Sequence, residues 1–139
     1  MKKTKLLEII PSLNKVGGAE VFFSDFVKEI TKNHNEVILQ VVVLYADENS
    51  YLIEDLKNKN INITFLNKHK GIDLKCAKKL RTIIKKFNPD SIHTHLDSLA
   101  TLILALRFRK KYRIFHTVHN IVDAKFKKEK LVRFLIKNK

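Results

Sequence analysis

The apolar positions change period along the chain, and the changes predict strands alternating with helices. Leu6 to Ile10 is a short apolar run that reads as a strand. Pro11, Ser12, Asn14 and the Gly17-Gly18 pair follow as a loop. Ala19, Phe22, Phe23, Phe26, Val27 and Ile30 then recur at helical spacing, with Glu20, Ser24, Asp25, Lys28, Glu29 and Lys32 on the other face. Asn33 to Asn35 breaks that helix. Val37 to Tyr45 is almost wholly apolar, as expected of a strand covered on both faces.

The second half repeats the alternation. Asn49 to Asn60 reads as a helix with Leu52, Ile53 and Leu56 on one side. Ile61 to Leu66 alternates apolar and polar residues, which suggests a strand near the sheet edge. Asp73 to Phe87 is a strongly amphipathic helix. Its inward residues are Leu74, Ala77, Leu80, Ile84 and Phe87, and Asn88-Pro89 stops it. Ser91 to Thr94 reads as a brief strand. Asp97 or Ser98 is placed to cap the apolar helix that runs to Phe108. Arg113 to Val118 is a further strand, and Asp123 to Lys137 a basic terminal helix. The order β-α-β-α-β-α-β-α-β-α predicts an α/β fold: a Rossmann-like open parallel sheet with helices on both faces. The pattern ends in a helix with no strand after it. A Rossmann-like half normally continues, so the chain is expected to be one half of something larger.

Composition narrows this picture. The 139 residues suffice for one domain with a real core, and 45% of them are hydrophobic. One cysteine, Cys76, excludes an internal disulfide and a thiol-rich metal site; its helical pattern makes it a small core residue. Met1 to Lys5 is basic, but the apolar run after it is broken by Glu8 and stops at Pro11, too short for the apolar region of a signal peptide. Leu99 to Leu106 falls well short of the ~20 residues that span a bilayer. A soluble or peripheral protein is expected. The net charge of +14 has two readings. One is lysine decorating solvated helix faces; the other is attraction to anionic lipid headgroups, phosphorylated substrates or nucleic acid. The lysines are spread over several helices without a recognised nucleic-acid motif, which argues against nucleic acid.

Three segments carry candidate chemistry, each where a strand gives way to a loop or helix. They are VGGAEV (Val16 to Val21), NPDSIHTHLDSLA (Asn88 to Ala100) and FHTVHN (Phe115 to Asn120). In an open α/β sheet those strand ends bind ligands, so the three are expected to line one site. Gly17 and Gly18 open a helix, where backbone N–H groups and the helix field suit a diphosphate; a simple turn for close helix–strand packing is the competing reading. The spacing is neither a dinucleotide fingerprint nor a P-loop, which argues against dehydrogenases and ATPases. His93 and His95 share a face, but no suitably placed Asp, Glu or Cys is recognised to complete a metal site. His93 is expected to be a hydrogen-bonded core histidine, with His95 at the carboxyl edge of its strand. His119, beside Asn120, is placed to donate to a phosphate or sugar hydroxyl, or to move a proton; a purely structural histidine is the competing reading.

Taken in order, GGAE, NPDSIHTHLDSLA and HTVHN closely resemble the N-terminal domain of family-4 glycosyltransferases, retaining enzymes of the GT-B fold. The resemblance covers Leu6 to about Leu135. It implies an acceptor-side N-terminal domain over residues 1–139, without the C-terminal nucleotide-binding domain. Gly17 and Gly18 would then approach the diphosphate of a nucleotide-sugar. His119 would sit near the transferred sugar in a positioning role, as the candidate catalytic residue. Thr94, His95, Asp97 and Asn120 would belong to the acceptor side. No metal and no resident cofactor are implied. The implied partners are a nucleotide-sugar, a glycan or lipid-linked acceptor, a partner chain supplying the C-terminal domain, and an anionic membrane surface. The implied setting is the bacterial cytoplasm or the inner face of its membrane, in capsule or other cell-surface polysaccharide synthesis.

Two departures stand out. Val21 occupies a position that is often Arg or Lys in the family, and the family's pair of glutamates, with seven residues between them, has no match. The resemblance therefore implies that this half alone does not complete transfer. A piece cut from a longer protein, a truncated gene product and one subunit of a split enzyme all fit. The alternative function is a catalytically silent docking module that recruits a partner. The basic segment Asp123 to Lys139 reads either as a membrane-surface helix or as an ordinary domain helix on the sheet, or on the missing half.

Overall fold

A computed structural model describes residues 2–46, 48–107 and 111–119. Their elements run β1 (Thr4–Ile10), α1 (Gly18–Asn33), β2 (Val37–Val43), α2 (Tyr51–Asn58), β3 (Ile63–Phe65), α3 (Leu74–Phe87), β4 (Ser91–His95), α4 (Ser98–Leu106) and β5 (Arg113–Thr117). The expected alternation is present through β5. The expected terminal helix lies outside the described residues.

All pairings are parallel, in the order β3-β2-β1-β4-β5. The chain builds outward from β1 to β3 and then crosses back to β4. The sheet is thus Rossmann-like, with its topological switch point between β1 and β4, the crevice where such sheets bind ligands. The register there aligns Glu8 with His93 and Ile9 with Thr94. β3, read as a strand near the edge, is the edge strand and is only three residues long.

Strand alternation sends side chains to two separate cores. Leu7, Ile9, Val42 and Ile92 pack with Leu80 and Ile84 of α3 and Leu102 of α4. Ile10, Val41 and Val43 pack on the opposite face with Phe23 and Val27 of α1 and Ile53 and Leu56 of α2. Caps set the helix ends. Ile53 N–H donates to Ser50 Oγ at the start of α2 (3.3 Å), and Cys76 N–H donates to Asp73 Oδ1 at the start of α3 (2.8 Å). Asn88 ends α3 in the left-handed region (φ 49°), where Asn is tolerated, and Pro89 forbids continuation.

Several expectations are corrected. Strand β1 begins at Thr4 rather than Leu6, because Thr4 and Lys5 pair with Val37 and Ile38. Leu74 does not face inward; as the first residue of α3 it projects beyond the layer that α3 and α4 cover. Ser24, placed on the solvent face of α1, is fully buried, and Phe22, placed on the core face, is about half exposed. The inward stripe of α1 is therefore rotated toward Phe23, Ser24 and Val27.

Candidate functional site

Glu8 is the lone charge in an otherwise apolar run of β1, and it has no exposed surface. A charge at that place must be paired. His93 and His95, two residues apart on the neighbouring strand, point to the same face of the sheet and supply the partners. His93 Nδ1 lies 3.0 Å from Glu8 Oε1, and His95 Nε2 lies 2.9 Å from Glu8 Oε2. The second nitrogen of each ring is also engaged: His93 Nε2 with Thr117 Oγ1 at 2.8 Å, and His95 Nδ1 with His119 Nε2 at 3.0 Å. A continuous chain thus runs Thr117–His93–Glu8–His95–His119 across three strands and the loop that follows β5.

The chain fixes where protons sit. An ionised carboxylate only accepts, so His93 Nδ1–H and His95 Nε2–H both donate to Glu8. With each imidazole singly protonated, His93 Nε2 then accepts from the Thr117 hydroxyl, and His95 Nδ1 accepts from His119 Nε2–H. The lone pair of His119 is left on Nδ1. This tautomer is assigned from the hydrogen-bond network. Burial, and secondarily the neighbouring His95, hold the pKa of His119 below its ordinary value.

Three phenylalanines of α1 roof the cluster, one over each ring. Phe22 lies 5.4 Å from His119, Phe23 meets His95 edge-on at 5.0 Å, and Phe26 meets His93 edge-on at 5.7 Å. Residues that read as a plain core stripe therefore form the apolar wall of a polar site. A concavity of about 540 Å³, lined by Thr4, Leu6, Phe26, His93, Phe115 and Thr117 among others, opens below the cluster. It lies toward the amino ends of the strands rather than at the carboxyl edge where the loops meet.

The remaining candidate residues are placed as follows. Gly17 is the N-cap of α1 with no side-chain cap, so the first-turn N–H groups are free of a capping side chain. A Cβ on Gly18 would meet nothing within 4 Å, so the space above the helix start is open; one on Gly17 would stand 2.8 Å from Glu20 Oε2, whose carboxylate already occupies the positive end of the helix. Thr94 faces the opposite side of the sheet from His93 and His95. It has no exposed surface, and its hydroxyl donates to Phe115 O at 3.3 Å. His95 is likewise fully buried, so in this structure neither Thr94 nor His95 offers surface to a ligand; His95 reaches the edge through His119. Asp97 is exposed at the N-cap position of α4 but makes no side-chain cap. Ser98 braces that turn instead. Its hydroxyl accepts from His95 N–H (3.1 Å), and its single O–H is shared between His95 O (2.7 Å) and Ile9 O (3.2 Å), tying β4 to β1 at the switch point. Asn120 lies outside the described residues.

One point of chemistry is corrected. His93 and His95 do have a carboxylate partner: Glu8 brings three potential ligand groups within 4.8 Å of one another. Each potential ligand atom is already used in a hydrogen bond, and two of the three residues have no exposed surface. The set is therefore satisfied without an ion. The pairing was legible only as a charge inside an apolar strand, because the partners are 85 and 87 residues away.

A five-stranded parallel sheet, with an uncapped glycine loop and a histidine at the same switch-point edge, defines a Rossmann-like α/β domain. The family model described as Glycosyltransferase Family 4 matches residues 16–138, and the chain belongs to that family. No curated protein matches the chain in a sequence search. Among the described residues, no helix is long and apolar enough to cross a membrane.

Proposed function

We propose that this chain is the acceptor-side half of a glycosyltransferase that moves a sugar from a nucleotide-sugar to a glycan or lipid-linked acceptor. Family membership supports the transferase class. The observation that supports the finer reading is that the helix start at Gly17–Gly18 and His119 lie at one sheet edge, with Phe22 of the same helix 5.4 Å from the His119 ring. The departing diphosphate is stabilised by first-turn N–H groups of α1, with the Glu20 carboxylate displaced as it arrives. His119 presents the Nδ1 lone pair to a sugar hydroxyl and holds it in place, while its Nε2–H stays anchored on His95. Its lowered pKa keeps the ring neutral and able to accept at pH 7. Asp97 and Asn120 contribute to the acceptor side. The residues invoked need no metal, and a second Rossmann-like half supplies the nucleotide pocket.

The test uses a host strain lacking the gene, complemented with wild type or His119→Ala. Membranes from each are supplied with labelled nucleotide-sugars and scored for product. Wild type restores transfer, and His119→Ala, shown by circular dichroism to be folded, does not. If the variant restores transfer fully, the assignment of His119 is wrong, and a silent docking module takes its place.

A further inference from the structure

The most exposed large apolar side chains among the described residues are not at the candidate site. They are Ile72, 83% exposed, in the connection between β3 and α3, and Leu74, 69% exposed, the first residue of α3. Their exposure is built into a tied loop. Lys68 Nζ donates to His69 O (3.0 Å) and Gly71 O (2.6 Å), and Asp73 Oδ2 accepts from His69 N–H (2.8 Å) while its other oxygen caps α3. Gly71 takes φ +81°, which turns the chain between the two lysines and the apolar pair. The loop thus directs its polar atoms inward to one another and its two aliphatic side chains to solvent.

Along the sequence, the loop and α3 carry almost one sign of charge. Between Leu66 and Asn88 the only acidic residue is Asp73, whose carboxylate is committed to the two N–H groups above. The same stretch holds Lys68, Lys70, Lys75, Lys78, Lys79, Arg81, Lys85 and Lys86, and α3 has no acid in its first turn. Lys70, Lys75 and Lys78 are exposed next to the aliphatic pair. Exposed aliphatic residues flanked in sequence by exposed lysines suit the boundary of an anionic bilayer, where the chains enter the acyl edge and the ammonium groups stay among the headgroups.

We propose that the β3–α3 loop docks the protein on anionic phospholipid, with Ile72 and Leu74 inserted and Lys70, Lys75 and Lys78 on the headgroups. The loop leaves the carboxyl end of β3, the same edge as the candidate site. β3 stands three strands from β4, roughly 14 Å at the usual strand spacing. Docking there holds the site's edge close to the bilayer surface. This deepens the reading of a lipid-linked acceptor, but its test contains no sugar and is decided separately.

The chain is sedimented with phosphatidylcholine vesicles, with and without phosphatidylglycerol. Wild type binds only the vesicles with phosphatidylglycerol, and added salt weakens the binding. The double variant Ile72→Ser, Leu74→Ser loses at least about tenfold in affinity. Removing charge with Lys75→Gln, Lys78→Gln costs about fivefold per lysine. A Leu74→Trp variant reads insertion directly: its indole emission shifts to the blue and is quenched by brominated lipid. All four positions are exposed, so the variants keep the fold. Wild type that ignores phosphatidylglycerol, a serine double variant that binds as wild type, or an indole emission from Leu74→Trp that does not move on vesicle addition would each overturn the proposal.

Discussion

Replacing Glu8 tests the buried network at its centre. Glu8→Leu leaves His93 Nδ1 and His95 Nε2 facing hydrocarbon where each met a carboxylate oxygen at 2.9–3.0 Å. Leaving a buried N–H donor without its acceptor costs about 1–3 kcal/mol, and Glu8→Leu strands one on each ring. A domain of this size has about 5–15 kcal/mol in total, so Glu8→Leu should approach the limit of folding. Glu8→Gln is milder for a specific reason. The amide has one accepting oxygen and one donating nitrogen, so one imidazole must move its proton to its other nitrogen. If that ring is His95, its Nδ1–H now faces His119, which must in turn shift its own proton to Nδ1. The loss of charge assistance should cost about 1–3 kcal/mol. The triple variant Glu8→Leu, His93→Leu, His95→Phe removes both sides together and should recover most of the loss. Urea unfolding followed by circular dichroism at fixed pH measures all three. A Glu8→Leu midpoint equivalent to within about 0.5 kcal/mol of wild type would refute the network's structural role.

Three further outcomes are expected. In NMR titration His119 should take up its proton at a pH below the ordinary 6.5 of a histidine. A folded pKa depressed in this way makes its contribution to stability present above the unfolded value and lost as pH falls through the folded one; a His119 that titrates above 6.5 would contradict the assigned burial. Ser50→Ala should lower stability by about 1 kcal/mol, because Ser50 Oγ caps α2 and also donates to Leu13 O at 2.6 Å; thermal unfolding decides this. Because the hydrogen bonds already satisfy Glu8, His93 and His95, neither a chelator nor added Zn²⁺ should move the melting temperature, and a rise of several degrees with zinc would make the cluster a metal centre.

The periodic segments were legible because strands and helices answer to local patterns. Leu80 and Ile84 sit where their spacing put them, and the parallel sheet follows from alternation alone. The candidate site was only half legible. Gly17, Gly18, His95 and His119 stood out as unusual residues at strand ends. Glu8, Thr117 and the phenylalanine roof did not, since what makes them part of the site is the strand order β2-β1-β4-β5, which no local window contains. The direction of Leu74 was misread for a related reason. Helical periodicity gives the face of a residue but not whether another layer covers that end of the helix.

Helix α1 begins at the glycine loop and carries the phenylalanines over the histidines a turn or two later. From Gly18 to Phe26 is about 12 Å of continuous helix. Among these residues there is no glycine or proline after Gly18 to act as a hinge. A ligand that pulls on the first turn therefore displaces the rings above His93, His95 and His119 by the same rigid motion. The two ends of the site form one mechanical unit, and substitutions at Gly18 and Phe22 should show strong thermodynamic coupling, their effects failing to add.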